Sequence, residues 1–148
     1  MDAIRSYKRA STIYPYDAAN YFNAGNSFSK LAEYVEAAKY YQKAIELAPD
    51  YEKAYFNMGN SLWKLKELKG AEKAYRNAID LNPKYIDPKI NLGELLLEMK
   101  RPSEAKKVLL EAQALPDAKL AENRNMIEDD LRKAQKQSGS FGRLQAGD

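Results

Sequence analysis

Between Tyr51 and Lys84 apolar residues return at helical spacing: Tyr55, Met58, Leu62 and Leu65, then Ala71, Ala74, Tyr75, Ala78 and Ile79. Residues three and four apart share one face of an α-helix. The stretch therefore predicts two amphipathic helices, over about 52–65 and 68–81, joined by a turn. Pro83 ends the second, because it has no N–H and its ring clashes with the preceding turn. Gly59 and Ala71 carry almost no side chain. Set on facing surfaces, they let the two axes approach closely, with Tyr55, Leu62 and Tyr75 filling the space above and below. A mid-helix glycine costs about 1 kcal/mol against alanine, and close packing is the expected compensation.

The same pattern recurs when the sequence is shifted by 34 residues. Gly25, Gly59 and Gly93 form one column. Ala3, Ala37, Ala71 and Ala105 form a second, and Ala10, Ala44, Ala78 and Ala112 a third. Tyr7, Tyr41, Tyr75 and Leu109 form a fourth. Pro15, Pro49 and Pro83 form a fifth, with Pro116 one residue early. Small, aromatic and proline positions recur together, and a period of this length means stacked helical pairs.

These columns resemble the tetratricopeptide repeat family. Its pattern is met in the central repeat by Tyr55, Met58-Gly59, Leu62, Ala71, Tyr75, Ala78 and Pro83. In the repeat before, it is met by Tyr21, Ala24-Gly25, Phe28, Ala37, Tyr41, Ala44 and Pro49. The repeat after departs from it: Lys89 stands where an aromatic is usual, and Leu109 replaces a tyrosine. The resemblance covers roughly residues 1–117. It implies an all-α fold, a right-handed superhelical solenoid of antiparallel helix pairs, and a binding scaffold rather than a catalyst. A fold alone does not name a ligand.

Taken in order, residues 1–15 hold the columns of a repeat's second helix without its first. Either the chain is a piece of a longer array or this helix is an N-terminal cap, and its apolar flank is Ile4, Tyr7 and Ile13. Full repeats follow at 16–49, with Asp17 as helix cap, at 50–83, and at 84–116, opened by Asp87-Pro88. Residues 117–137 read as one more helix, striped by Leu120, Arg124, Ile127, Leu131 and Ala134, with Glu128 and Asp129 outward. It suits a capping helix that gives the stack a polar end. Residues 1–137 thus read as a single domain. Residues 138–148 have a flexible composition, and docking of Phe141 and Leu144 in a groove stands beside an incidental tail.

Composition narrows the chemistry. Lysine and arginine number 24 and aspartate and glutamate 21, giving a net charge of +3 that is well mixed along helices. That makes no case for nucleic acid. Cysteine and histidine are both absent, which removes disulfides, thiol chemistry, the commonest general base and the commonest transition-metal ligand. No apolar run approaches the roughly 20 residues of a membrane span. The expectation is a cytoplasmic protein with no cofactor, no metal and no membrane partner. No enzymatic constellation is present: carboxylate pairs such as Asp129-Asp130 read as a solvated helix face, and no glycine loop is set to cradle phosphate.

The first helices of stacked pairs line a concave face. Their outward positions are Asn23, Asn57 and Asn91, and beside them Asn26, Asn60 and Glu94. An asparagine amide both donates and accepts on one short arm, so such columns suit the backbone of an extended peptide. Similar asparagine ladders occur in the family, and the resemblance carries that role to Asn23, Asn26, Asn57, Asn60 and Asn91; the alternative is that they only join neighbouring repeats. Phe22, Phe56 and Trp63 would anchor apolar side chains of the ligand, with Trp63 alternatively packing on a neighbouring helix. Lys30, Lys53 and Lys64 add positive charge. The clamp by which related domains grip acidic chaperone C-termini needs cations where this chain has Phe22, Asp87 and Asn91; only its two asparagines, Asn26 and Asn57, match. The function expected is a protein-interaction scaffold binding an extended peptide or helix. Self-assembly into a homo-oligomer, through the unpaired first helix or the tail, is the alternative, and a chaperone shielding a hydrophobic segment the third.

Overall fold

The computed structural model describes residues 3–119 and 121–145, with the backbone alone at 11, 119, 121 and 141–145. The elements among the described residues are all helical, joined by short turns: α1 (Ala3–Ile13), α2 (Ala18–Lys30), α3 (Tyr34–Leu47), α4 (Glu52–Lys64), α5 (Leu68–Leu81), α6 (Ile86–Glu98), α7 (Pro102–Gln113), a short 3-10 turn (Pro116–Lys119) and α8 (Ala121–Gln145). α2 packs on α3, α4 on α5 and α6 on α7, which makes three antiparallel pairs. The helices gather in two compact units, Met1–Asn82 and Pro83–Asp148, where the sequence reads as one domain. The division falls at Pro83, which cannot extend α5.

The repeat columns are the core. Ala37, Ala71 and Ala105 are fully buried, as are Ala44, Ala78 and Ala112, and Tyr41, Tyr75 and Leu109 are at most 1% exposed. The glycine column makes room for one particular side chain in each pair. A Cβ at Gly59 would stand 2.7 Å from the Tyr75 ring, and one at Gly25 would stand 2.6 Å from the Tyr41 ring. At Gly93 the clash would be with Leu109, at 2.5 Å. Each glycine is thus the floor of a slot that receives one large side chain from the partner helix.

Three turns repeat a second device that the sequence does not announce. Ala32, Lys66 and Lys100 all adopt left-handed backbone, with φ of 59°, 62° and 58°. Each follows the first helix of a pair. The next residue's N–H reaches back to close the helix end: Glu33 to the Phe28 carbonyl at 3.0 Å, Glu67 to Leu62 at 2.9 Å, and Arg101 to Leu96 at 2.8 Å. Such a closure usually employs glycine. Here alanine and lysine take the strain, and the repeated hydrogen bond offsets it.

In the first unit α1 packs on α2 as an unpartnered second helix. Ile4 joins the cluster of Phe28, Ala37 and Tyr41, while Ile13, Tyr14 and Tyr16 are 59%, 64% and 86% exposed. Asp17 caps α2 as expected, accepting the Ala19 N–H at 2.9 Å. In the second unit Lys89 fills its aromatic position by burying its stem and reaching Glu111 at 3.8 Å, a long side chain keeping its charge at the edge. α8 packs on α6 and α7 with Ile127 and Ala134 buried; Leu120 lies outside the described residues.

Two expectations for α8 are corrected. Asp129 is exposed, but Asp130 is buried and holds Lys133 at 2.7 Å, so the carboxylate pair is not a uniformly solvated face. Residues 138–145 continue the helix instead of forming a flexible tail. Adding residues to an existing helix is far cheaper than starting one, and the Ser140 hydroxyl donates to the Lys136 carbonyl at 3.0 Å. The side chains of Phe141 and Leu144 lie outside the described residues.

The glycine slots give a direct prediction. Gly59→Ala gains about 1 kcal/mol of helix propensity, yet drives a methyl into the Tyr75 ring, and overpacking of this kind costs about 1–3 kcal/mol. The expected outcome is a lower midpoint in urea unfolding, with no loss of helical circular dichroism in the native state.

Candidate binding site on helices α2 and α4

The side chains that recur on α2 and α4 meet in one place. Asn26, Ser29 and Lys30 of α2, Tyr41 of α3, and Asn57 and Asn60 of α4 line an open pocket of about 260 Å³. Ser29 and Lys30 follow Asn26 by three and four residues and so flank its face of α2. Asn57 and Asn60, three apart, share a face of α4. The pocket is thus a direct product of the helical period.

A hydrogen-bond network orders its floor. The Tyr41 hydroxyl donates to Asn26 Oδ1 at 2.8 Å. Asn57 Nδ2 donates to the same oxygen, also at 2.8 Å, across 31 residues of sequence. The Tyr75 hydroxyl donates to Asn60 Oδ1 at 2.7 Å. Asn26 Oδ1 is therefore filled, and its amide group is fixed in one orientation. The remaining polarity of the Asn26–Asn57 pair is the Asn26 N–H donors and the Asn57 carbonyl acceptor, a donor and an acceptor side by side. Burial pushes the Tyr41 hydroxyl up to about 12, against the opposing pull of hydrogen bonds from Asn57 and Ser29. The hydroxyl is thus a protonated donor throughout the ordinary pH range.

The other expected residues are placed as follows. Asn23 is half-buried on α2, and its backbone carbonyl accepts from Ser27 at 3.1 Å. Phe22 stacks on Tyr51 with ring centres 4.8 Å apart and lies 5.8 Å from Tyr41. Phe56 lies 6.0 Å from the Tyr75 ring, and Trp63 meets that same ring edge-on at 6.3 Å. All three large rings are half-buried, packing on the tyrosine column with part of each face left to solvent. Lys53 and Lys64 are exposed and do not line the pocket; Lys30 does. Asn91 is half-buried on α6 in the second unit. There the Asp87 carboxyl is raised by burial and then by the neighbouring Asp117 charge.

Two contributors were overlooked. The hydroxyls of Tyr41 and Tyr75 each bind an asparagine. The signal was available: each asparagine precedes its tyrosine by 15 residues. In the third repeat Leu109 has no hydroxyl, and the matching position is Glu94. Ser29, beside Lys30 on α2, is the other contributor to the pocket lining. Among the described residues no group of three or more histidine, cysteine, aspartate or glutamate side chains is set to hold a metal ion, and no helix is long and apolar enough to cross a membrane.

The Tyr41 environment predicts a pH response. Its hydroxyl ionises near 10 when unfolded and near 12 when folded, so between those values the native state holds a proton that the unfolded chain has lost. Stability present below pH 10 then declines as pH rises toward 12. Tyr41→Phe should flatten that decline in urea unfolding measured across the window, and remove one late-ionising tyrosine from an ultraviolet titration.

Comparison with known proteins agrees with this architecture. A family profile described as "Tetratricopeptide repeat" matches residues 52–85, and one described as "TPR repeat" matches residues 32–66. Among solved structures, MamA superposes with a TM-score of 0.74 at 18% identity, covering 95% of this chain and 89% of that one. The TPR2B-domain:pHsp70 complex of yeast Sti1 gives 0.75 at 23% identity, covering 81% and 97%. YrrB, described as a TPR protein with an unusual peptide-binding site, gives 0.74 at 26% identity, covering 91% and 72%. No curated protein matches the chain. The 34-residue columns, the buried slots they build and the two matched profiles together identify residues 32–85 as tetratricopeptide repeats.

Proposed function

We propose that the chain is a cytoplasmic, non-enzymatic scaffold that binds an extended peptide along α2 and α4, with Asn26 and Asn57 reading the peptide backbone. The observation that carries this reading is the fixed amide pair. Asn26 Oδ1 is held from two sides, so the pocket presents its donor and its acceptor without further ordering. A preorganised pair loses little entropy on binding. A peptide unit, with its own N–H and C=O, is the complementary ligand. Lys30 on the pocket wall suits a carboxylate of the ligand, and the exposed parts of Phe22, Phe56 and Trp63 suit its apolar side chains.

Peptide complexes among the structural relatives support the class of ligand: one is the Sti1 complex with pHsp70, and another the first TPR of Spaghetti (RPAP3) bound to an HSP90 peptide, SRMEEVD. The clamp chemistry for an acidic C-terminus is not carried over, because Phe22, Asp87 and Asn91 replace its cations. A neutral backbone with isolated acidic and apolar side chains fits this chain better.

Self-assembly is a second reading, favoured by one observation. Ile13, Tyr14 and Tyr16 form an exposed apolar run at the end of α1, larger than scattered surface hydrophobics require. Sedimentation over a concentration series separates the two readings: a monomer at all concentrations removes self-assembly.

For the peptide reading, ligands selected from a random peptide library should weaken roughly tenfold on Asn57→Ala, about the worth of one well-formed hydrogen bond. Asn57→Ala, Asn60→Ala together should lose most of the partners captured by the wild type. Equal capture by both proteins would reduce the asparagines to packing between repeats.

A further inference from the structure

The opposite flank of α4 carries a second opening. Tyr55, Met58 and Leu62 of α4 form its floor, Ile45 of α3 and Ala74 of α5 its inner walls, and Lys39 and Lys73 its rim. Its volume is about 630 Å³, within the range of about 300–1,000 Å³ typical of ligand sites. No residue that lines it also lines the asparagine pocket.

One residue opens this groove. Gly70 stands at the register where α3 has Glu36 and α7 has Glu104, 34 residues to either side. Both glutamates sit in the first turn of their helices; α5 has no acid there. Both are paired, Glu36 with Lys39 at 2.8 Å and Glu104 with Arg101 at 2.7 Å. Lys73 occupies the register of Lys39, but glycine has replaced the carboxylate that would bind it. Among the described residues Lys73 makes no ion pair or hydrogen bond. A glycine inside a helix and a missing first-turn acid both weaken α5, so stability alone does not account for the choice. Its effects are an uncovered apolar floor and an uncommitted cation above it. A Cβ at Gly70 would stand 3.3 Å from Leu62 Cδ1, so any larger residue begins to close the opening.

We propose that this groove binds an amphipathic helix of a partner protein, with its apolar stripe on Tyr55, Met58 and Leu62 and one carboxylate on Lys73. The charge is set by Lys73, since Lys39 already has Glu36. The helical form follows from the walls. α3 and α5 offer side chains and no backbone edge, so an extended segment would find no ladder for its N–H and C=O groups. A helix satisfies its own backbone and seats its side-chain ridges between two others. This site is separate from the peptide pocket, so either can fail without the other.

The test is selection of a displayed library of amphipathic helices on the wild-type chain. The expected winners carry apolar residues at helical spacing with a nearby Asp or Glu. Their affinity should fall at least about tenfold on Gly70→Glu, which fills the groove and supplies Lys73 with its missing partner. It should fall up to about fivefold on Lys73→Ala, with no further loss when the peptide's own acid is replaced by its amide. Asn57→Ala should leave it unchanged. Gly70→Glu should unfold at or above the wild-type temperature, which separates site closure from damage; Lys73→Ala carries the test if it does not. Winners lacking an acid, or binding Gly70→Glu as tightly as wild type, would overturn the proposal. So would self-association of the wild type abolished by Gly70→Glu, which would put a second copy of this chain in the groove.

Discussion

An aromatic ring seated over a glycine, and tethered by its hydroxyl to an asparagine one helix back, is the constraint on which the first unit depends. The ring needs the glycine because no Cβ fits beneath it. The hydroxyl needs the asparagine because a buried polar group without a partner is costly. The asparagine is oriented as a result, and its orientation shapes the pocket. Packing, polar satisfaction and the geometry of recognition are thus one arrangement, built at Gly25–Tyr41–Asn26 and again at Gly59–Tyr75–Asn60. The third repeat keeps its glycine but seats Leu109, and the asparagine is gone along with the hydroxyl it served.

That arrangement explains which parts of the molecule were legible in the amino-acid sequence. The period of 34 and the helical spacing within it place the helices, because burial of one face dictates where apolar residues fall. α5 was expected over 68–81 and occupies Leu68–Leu81. The left-handed turns at Ala32, Lys66 and Lys100 were not legible, since their residues carry no conformational signature; only their spacing betrays them. The end of α8 was missed for a related reason. Serine and glycine read as flexible in isolation, while an upstream helix already nucleated can carry them.

The asparagine pocket was legible in part. Helical period alone puts Asn26, Asn57, Asn60 and Lys30 on shared faces, and the structure brings them together. What the period cannot reveal is the pairing of side chains across helices. The tethering of Asn26 by Tyr41 required knowing which residue lies over Gly25. The groove at Gly70 is hidden in the recurring columns because it lies at the position that breaks one. Its meaning emerges only when Lys73 is compared with Lys39, and the absent glutamate is treated as a change in both shape and charge.

The most direct measurement is a double-mutant cycle between Tyr41→Phe and Asn26→Ala, read by urea unfolding. If the hydroxyl and the amide act as a unit, the two losses fall short of additivity by about 1 kcal/mol, the worth of one buried hydrogen bond. Losses that simply add would mean that ring and amide are independent, and would contradict the account.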